Sequence, residues 1–226
     1  MKNALKPFFE QYEALCASVE RAFETVKNQY PDCVKCKPLC SDCCYALFDL
    51  TLIEALFINE RFRDKYSGTT LDLLLERCNR TDRTLYRLKK NAFKSAESGK
   101  EETEILKEMA ETRIRCPMLN DEQMCEIYEF RPLTCKLYGI PTAIGGQGYT
   151  CGLSAFEKGK IYPTADLDKI QNRLLQLSSE LAVAVGSKYL RMGEMLVPVS
   201  MALNTIYDDE YLGVQKPDET DERHSS

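Results

Sequence analysis

Residues 33–44 read Cys-Val-Lys-Cys-Lys-Pro-Leu-Cys-Ser-Asp-Cys-Cys, which places five thiols within twelve residues. Thiolates are soft ligands, and a spacing of two or three residues lets a loop curl so that two sulfurs point at one metal. Cys40 and Cys43 have this spacing. So many thiols in one short loop are hard to explain as packing, and the stretch therefore predicts a metal site.

A second loop-rich region, residues 116–151, carries four further cysteines: Cys116, Cys125, Cys135 and Cys151. Gly, Pro and Asn-Asp break this region into short irregular pieces. Neither it nor residues 33–44 offers enough apolar surface to order itself, so we expect the two regions to meet around metal. The last two cysteines, Cys16 and Cys78, lie on apolar helix faces, which favours a role in the core.

Helical spacing of apolar residues predicts a mostly α-helical fold with a loop-rich cysteine lobe. Thr51 and Glu54 form a capping-box pattern at the start of the second helix, which explains Glu54 without any chemistry. Gly145–Gly148 predicts a hairpin turn rather than a phosphate loop, because no GK[ST] ending follows. The predicted helices cover about residues 5–26, 51–64, 71–98, 101–114, 166–185 and 198–206. They predict a single helical domain over residues 1–207.

The composition excludes several classes of enzyme. The single histidine, His224, lies in the last three residues, which excludes Ser-His-Asp and Cys-His triads and histidine-based zinc hydrolysis. Any proton transfer would have to use a carboxyl group, Lys, Tyr or a thiol. The chemistry of this chain is therefore expected to be sulfur chemistry.

The net charge of -5 comes from the end of the chain. Residues 208–226 hold seven acids and two bases, and the body holds 28 of each, so we expect neither nucleic acid nor membrane as a partner. We expect this acidic tail to be disordered. With no secretion signal at the start and no apolar stretch of about 20 residues, the chain is expected in the cytoplasm, where thiols stay reduced.

Three segments of the sequence, Cys36–Cys44, Cys116–Leu119 and Cys125–Tyr138, resemble the CxxCxxCC or YkgJ family. That family is described as zinc- or iron-chelating, or as containing an iron–sulfur cluster. The helices between Glu54 and Ile114 carry no such motif and look like an insertion. The resemblance implies eight metal-binding cysteines: Cys36, Cys40, Cys43, Cys44, Cys116, Cys125, Cys135 and Cys151.

The spacing leaves open how these thiols are shared. Eight thiols suit two four-thiolate sites, or one site with spare thiols, and Cys33 could substitute for Cys36. The resemblance favours an iron–sulfur cluster, 4Fe–4S in type, over zinc. Nearby cations would offset the thiolate charge or simply pair with Glu126 and Glu129, and the rigid fork of Arg131 could also tie carbonyls of the cysteine loops together. These cations are Lys35, Lys37, Arg115, Arg131 and Lys136.

Two functions remain at this point. The first is a non-catalytic metal-binding protein whose metal organises the loop-rich lobe, with sulfur at every metal position. The alternative follows from a similarity of the cysteine motif to flagellin lysine N-methylases, which implies methyl transfer from S-adenosylmethionine. No protein partner or substrate can be identified from the residues.

Overall fold

The computed structural model describes residues 2–215, and the mostly α-helical fold is confirmed. The five longer helices are α1 (Lys2–Gln29), α2 (Leu52–Lys65), α3 (Gly68–Glu97), α4 (Glu102–Glu111) and α6 (Leu167–Ala184). The two short ones are α5 (Leu133–Leu137) and α7 (Val199–Asn204). The strands are β1 (Asp49–Thr51), β2 (Thr142–Ile144), β3 (Gln147–Tyr149), β4 (Ala165–Asp166) and β5 (Leu196–Pro198).

Helix α2 lies at the centre of the fold. Residues 52–59 are all buried, and the helix packs against α1, α6 and α7. A helix that is buried all round must lie inside the core rather than on its surface. The capping box predicted at Thr51 and Glu54 is present and starts this helix. Residues 52–65 are therefore part of the framework of this fold.

The second cysteine region is also better anchored than its sequence suggests. Six of its apolar side chains are buried: Met118, Leu119, Ile127, Leu133, Leu137 and Ile140. All but Leu119 belong to the same apolar cluster as α1 and α2. The expectation that this region lacks enough apolar surface to order itself is thus wrong. These side chains follow neither a helical nor a strand period, so the sequence pattern did not reveal them.

Two small sheets complete the fold. Strand β1 pairs antiparallel with β5, with Leu50 opposite Val197. Strands β2 and β3 form the hairpin predicted at Gly145–Gly148, and β4 runs parallel to β2. Both Gly145 and Gly146 have positive φ, which a glycine adopts without strain. This hairpin lies within the second cysteine region, between Cys135 and Cys151.

The first part of the predicted acidic tail packs against the body. Leu212 is buried, and the backbone nitrogen of Lys188 donates to the carbonyl of Gly213 at 2.8 Å. The remainder of that tail, 216–226, lies outside the described residues. No helix within residues 2–215 has both the length and the apolar character that a membrane span requires.

Candidate metal centre

The first cysteine loop is shaped by a tight turn. The backbone nitrogen of Cys40 donates to the carbonyl of Lys37 at 3.0 Å, with Pro38 and Leu39 between them. Leu39 has φ +70°, a left-handed conformation that is uncommon for a residue with a side chain. A 3₁₀ turn over Asp42–Tyr45 then carries Cys43 and Cys44. Local backbone geometry therefore sets the directions of these thiols.

The second cysteine region joins the first through its backbone. The nitrogen of Cys116 donates to the carbonyl of Cys44 at 2.7 Å. Cys125 follows a tight turn, in which Gln123 has φ +59°, and forms a β-bridge with Leu119. Cys135 lies on α5. The two parts of the motif, far apart in sequence, thus meet at one end of the molecule.

Helix α5 is fixed to the core from two sides. Its first residue, Leu133, donates its backbone N–H to Oε1 of the buried Glu54 at 3.2 Å. The buried Lys136 donates to Oε1 of Glu20 at 2.6 Å and to the carbonyl of Glu129 at 3.3 Å. These bonds hold the helix that carries Cys135 against α1 and α2.

Four thiols, those of Cys135, Cys43, Cys44 and Cys125, lie close enough to shift one another's pKa. The neighbouring thiols of Cys135 and Cys44 lower the pKa of Cys43 to about 3. The thiol of Cys44 likewise lowers the pKa of Cys125. The same neighbours, together with burial, raise the pKa values of Cys44 and Cys135. Cys43 and Cys125 are thus favoured as thiolates, the form that binds metals.

Three other cysteines of the motif lie beside these four. Cys36 lies near Cys40, and burial, followed by the proximity of Cys40, is the reason that the pKa of Cys36 is raised. A Cβ at residue 139 would lie 3.1 Å from that of Cys36, and φ there is +113°, so both geometry and space require Gly139. Cys151 donates to Oδ2 of Asp42 at 3.3 Å. Its pKa is raised, first by burial and then by this carboxylate.

Asp42 connects this part of the site to the surface. Its carboxylate also accepts from the hydroxyl of Tyr138 at 3.0 Å and from the guanidinium of Arg113. Burial alone would raise the pKa of Asp42, but the hydrogen bonds from Arg113, Cys151 and Tyr138 outweigh it and lower the pKa. The sequence analysis did not single out Asp42, although it lies inside the cysteine motif.

The remaining cysteines differ in their surroundings. Burial raises the pKa of Cys116 to about 12, and Cys125 and Cys43 are close enough to add to this shift. Cys78 is fully buried in the core, as predicted. Cys16 is half-buried on α1 and packs against the core. Cys33 lines neither cavity at the cysteine site, and its carbonyl accepts from the nitrogen of Ala155 at 2.9 Å.

The cations divide between offsetting thiolate charge and making other contacts. After the neighbouring thiols, the positive charge of Arg131 is among the causes that lower the pKa of Cys43 and Cys125, which agrees with the expected counter-charge. Arg115, not Arg131, ties carbonyls of the loop, donating to Leu119 at 3.1 Å and to Asn120 at 2.7 Å. Arg131 instead stacks on the ring of Tyr128, 4.2 Å from its centroid. Within residues 2–215, neither Arg131 nor Lys37 makes an ion pair with a carboxylate.

A cavity of about 690 Å³ opens beside the thiols. The six cysteines on one side of it are Cys40, Cys43, Cys44, Cys116, Cys125 and Cys135. Helices α3 and α4 supply the other side. A much smaller cavity lies against Cys36, Cys40, Cys43 and Cys151, so Cys40 and Cys43 separate the two spaces.

The comparison with known families agrees with this arrangement. The family CxxCxxCC, described as "Putative zinc- or iron-chelating domain", matches residues 35–152, just over half of the chain. The chain belongs to the CxxCxxCC family. No curated protein and no solved structure matches the chain. The matched range contains all eight cysteines of the motif, and Cys33 and Cys16 fall outside it.

The donor set suits the metals in the family's description, because eight soft thiols gather at one end of the molecule. As they stand, however, no three Cys, Asp, Glu or His side chains of the described part converge on a point where they would hold a metal ion. Binding would therefore require side-chain rotation at the site, within a backbone that already brings the two regions together.

Proposed function

We propose that this member of the CxxCxxCC family is a non-catalytic metal-binding protein that holds an iron–sulfur cluster in preference to zinc. The observation that carries the proposal is the close grouping of four thiols, those of Cys43, Cys44, Cys125 and Cys135, which shift one another's pKa. These thiols come from parts of the chain about 90 residues apart, so a shared ligand would cross-link them.

The eight cysteines of the motif are the proposed ligands, and Cys43, Cys44, Cys125 and Cys135 form the first group of four. Of the other four, Cys36, Cys40 and Cys151 line the smaller cavity and serve a further site or supply spare thiols. Cys116 lines the larger cavity with the first group and is a spare ligand there. When bound, the metal would supply folding energy by joining the loop at residues 36–44 to α5 and to residue 151. The chain's own residues would position the sulfurs and, through Asp42, hold Cys151 beside the loop.

The choice of iron–sulfur over zinc follows the resemblance of the motif to a family described as containing an iron–sulfur cluster. The body of the chain lacks histidine, but four thiolates hold structural zinc as well as iron–sulfur clusters, so the donor set fits both. A zinc site would use the same thiols in pairs such as Cys40 and Cys43. The metal itself must therefore be measured.

The test is the absorption spectrum of protein purified without oxygen, together with its content of iron, acid-labile sulfide and zinc. We expect iron and sulfide in equal amounts and visible absorption that bleaches on reduction. Stoichiometric zinc without iron would overturn the iron–sulfur assignment and keep metal binding. Protein free of all three would overturn the proposed function as a whole.

The second candidate is a methyltransferase-like enzyme that uses S-adenosylmethionine. The cavity beside the thiols is the observation that favours it, because the volume suits a small organic molecule. Against it, the glycine-rich stretch of this chain forms a hairpin turn rather than the strand-to-helix loop of a nucleotide site. We expect S-adenosylmethionine to leave the spectrum of the metal-loaded protein unchanged. Micromolar binding, or a spectral change, would move this candidate to first place.

A further inference from the structure

The cavity beside the thiols is far larger than a metal site needs. A zinc–sulfur bond is about 2.3 Å long, so a metal centre occupies only the region next to the sulfurs. The full space of about 690 Å³ lies within the range of about 300–1,000 Å³ typical of sites for small organic molecules. The space away from the thiols therefore suits a second kind of ligand.

The walls opposite the thiols are apolar. Leu85 and Leu88 of α3, Met109 of α4 and Ile114 line that side of the cavity. Leu85 is buried, whereas the other three are half-buried, so the cavity leaves part of this apolar surface without protein contacts. A ligand with an apolar body would cover this surface, and its transfer from water would be favourable.

One charged group stands out among the lining residues. Arg131 lines the cavity, and its guanidinium carbon lies over the ring of Tyr128, 4.2 Å from the ring centroid. Among the described residues it has no carboxylate partner, whereas the lining cations Lys89 and Arg115 pair with Asp49 and Asp121. Lys37, also on the lining, has no ion pair in the described part either. A planar guanidinium held in this way matches a carboxylate in shape and charge.

We propose that this cavity binds a small organic carboxylate with an apolar body, its carboxylate on Arg131 and its body against α3 and α4. A fatty acid of medium chain length belongs to this class. One unpaired guanidinium and mostly apolar walls favour a single carboxylate over a polyphosphate, which needs several donors. The inference rests on the cavity and its lining. It does not depend on whether the thiols hold an iron–sulfur cluster or zinc.

The first experiment measures binding by calorimetry, with the full chain purified without oxygen and keeping its metal. The probes are octanoate, octanol and octylamine, which share one apolar body and differ in the head group. We expect octanoate to bind about tenfold more tightly than octanol, because a charge-assisted hydrogen bond adds to the same apolar contact, and octylamine to bind least. Equal binding of octanoate and octanol, or no binding of octanoate, would overturn the proposal.

Variants of Arg131 test the carboxylate contact. In Arg131→Gln we expect octanoate affinity to fall about tenfold, to the level of octanol, with octanol affinity unchanged. Arg131→Lys keeps a cation near the thiols but cannot make the bidentate contact of a guanidinium with a carboxylate. Its octanoate affinity should therefore lie between those of Arg131→Gln and the wild type. The matched control is Arg83→Gln, on the exposed face of α3 outside the cavity, which should bind octanoate as the wild type does. Unchanged octanoate binding in Arg131→Gln would contradict the assignment.

Metal content, measured on the same samples, separates this proposal from the metal-binding function. If Arg131→Gln loses octanoate binding and keeps its metal, Arg131 acts on the carboxylate. Loss of metal in Arg131→Gln but not in Arg131→Lys would instead make Arg131 a counter-charge for the thiolates and overturn the proposal. Leu88→Trp fills the apolar side and should weaken octanoate and octanol alike. Unchanged binding of both would show that the ligand lies elsewhere.

Discussion

Glu54 and Leu133, 79 residues apart in sequence, are joined by a hydrogen bond of 3.2 Å from the backbone nitrogen of Leu133 to Oε1 of Glu54. The other carboxylate oxygen, Oε2, accepts from the backbone and hydroxyl of Thr51 at 3.4 and 3.2 Å. One buried carboxylate therefore caps both the central helix α2 and the short helix α5. The position of Cys135 depends on a residue that has no place in the cysteine motif.

Replacing Glu54 by Gln should destabilise the protein. The amide can still accept at one end, but its NH₂ group would face a backbone donor at either Leu133 or Thr51. Leaving one buried donor unsatisfied costs about 1–3 kcal/mol in the free energy of unfolding, measured by chemical denaturation. The matched control is Glu60→Gln, half-buried on the same helix, which should stay within about 0.5 kcal/mol of the wild type. Equal losses in the two variants would refute the shared cap.

The stability difference between wild type and Glu54→Gln should depend on pH. Burial raises the pKa of Glu54 above its ordinary value of 4.5, although bonds from Leu133 and Thr51 oppose this. A carboxyl group whose folded pKa is raised contributes stability below its unfolded pKa, and this contribution is lost as pH rises through the folded pKa. Because Gln does not titrate, the advantage of the wild type should shrink as the pH rises above the ordinary carboxyl pKa of 4.5 and through the raised folded pKa. An advantage that grows with pH would contradict the raised pKa.

Asp42→Asn should loosen Cys151. The substitution removes the charge that holds Arg113 and weakens the acceptor for Tyr138 and Cys151, at a cost of about 1–2 kcal/mol in unfolding free energy near neutral pH. The pKa of Asp42 is lowered below 3.8, so its contribution is present above that pH and lost as pH falls through the folded pKa. Labelling by a thiol reagent should become faster at Cys151. The control is Asp121→Asn, because Asp121 is the exposed partner of Arg115.

The cysteines should divide into two classes when replaced one at a time. Cys16→Ala and Cys78→Ala should keep the full metal content, with a core defect of about 1 kcal/mol for the buried Cys78. Replacing Cys40, Cys43, Cys125 or Cys135 should remove metal and solubility together. Elemental analysis of each purified variant is the measurement. Full metal occupancy in the double variant Cys125→Ser, Cys135→Ser would show that the ligands lie elsewhere.

Removal of metal should loosen the cysteine region unevenly. Hydrogen exchange is expected to rise most in the loop at 33–44 and around residue 151, which few buried apolar side chains hold. Residues 118–140 should keep more protection, since Ile127, Leu133 and Leu137 are buried in the main core. Mass spectrometry with and without a chelator gives the comparison. Identical exchange of residues 33–44 under both conditions would remove the organising role proposed for the metal.

Features that depend on neighbours in sequence could be predicted. The capping box spans four residues, the hairpin turn is marked by its glycines, and α1 shows one apolar face over many turns. The cysteine motif also identified the family from the sequence, since its spacing lies within short segments. Each of these signals is local, and none depends on how distant parts of the chain pack.

Features that depend on distant contacts could not be predicted. The bond from Leu133 to Glu54 and the bond from Cys151 to Asp42 join residues about 80 and about 110 apart. The apolar residues of 118–140 enter the core at irregular intervals, which periodicity does not detect. The cavity depends on how α3 and α4 pack across the cysteine region, which no segment encodes by itself. The sequence therefore predicted which cysteines would bind metal, whereas the residues and the cavity around them depend on how distant parts of the chain pack.

The backbone bond between Cys116 and Cys44, at 2.7 Å, makes this region a frame for redesign. Because the bond uses main-chain atoms, it does not itself depend on which side chains occupy the thiol positions, although replacing those thiols is expected to cost metal and solubility until a new metal is bound. Histidine or aspartate introduced at residues 43, 125 and 135 would convert a soft donor set into one that suits nickel or copper. The same frame could thus compare metals while the surrounding protein stays constant.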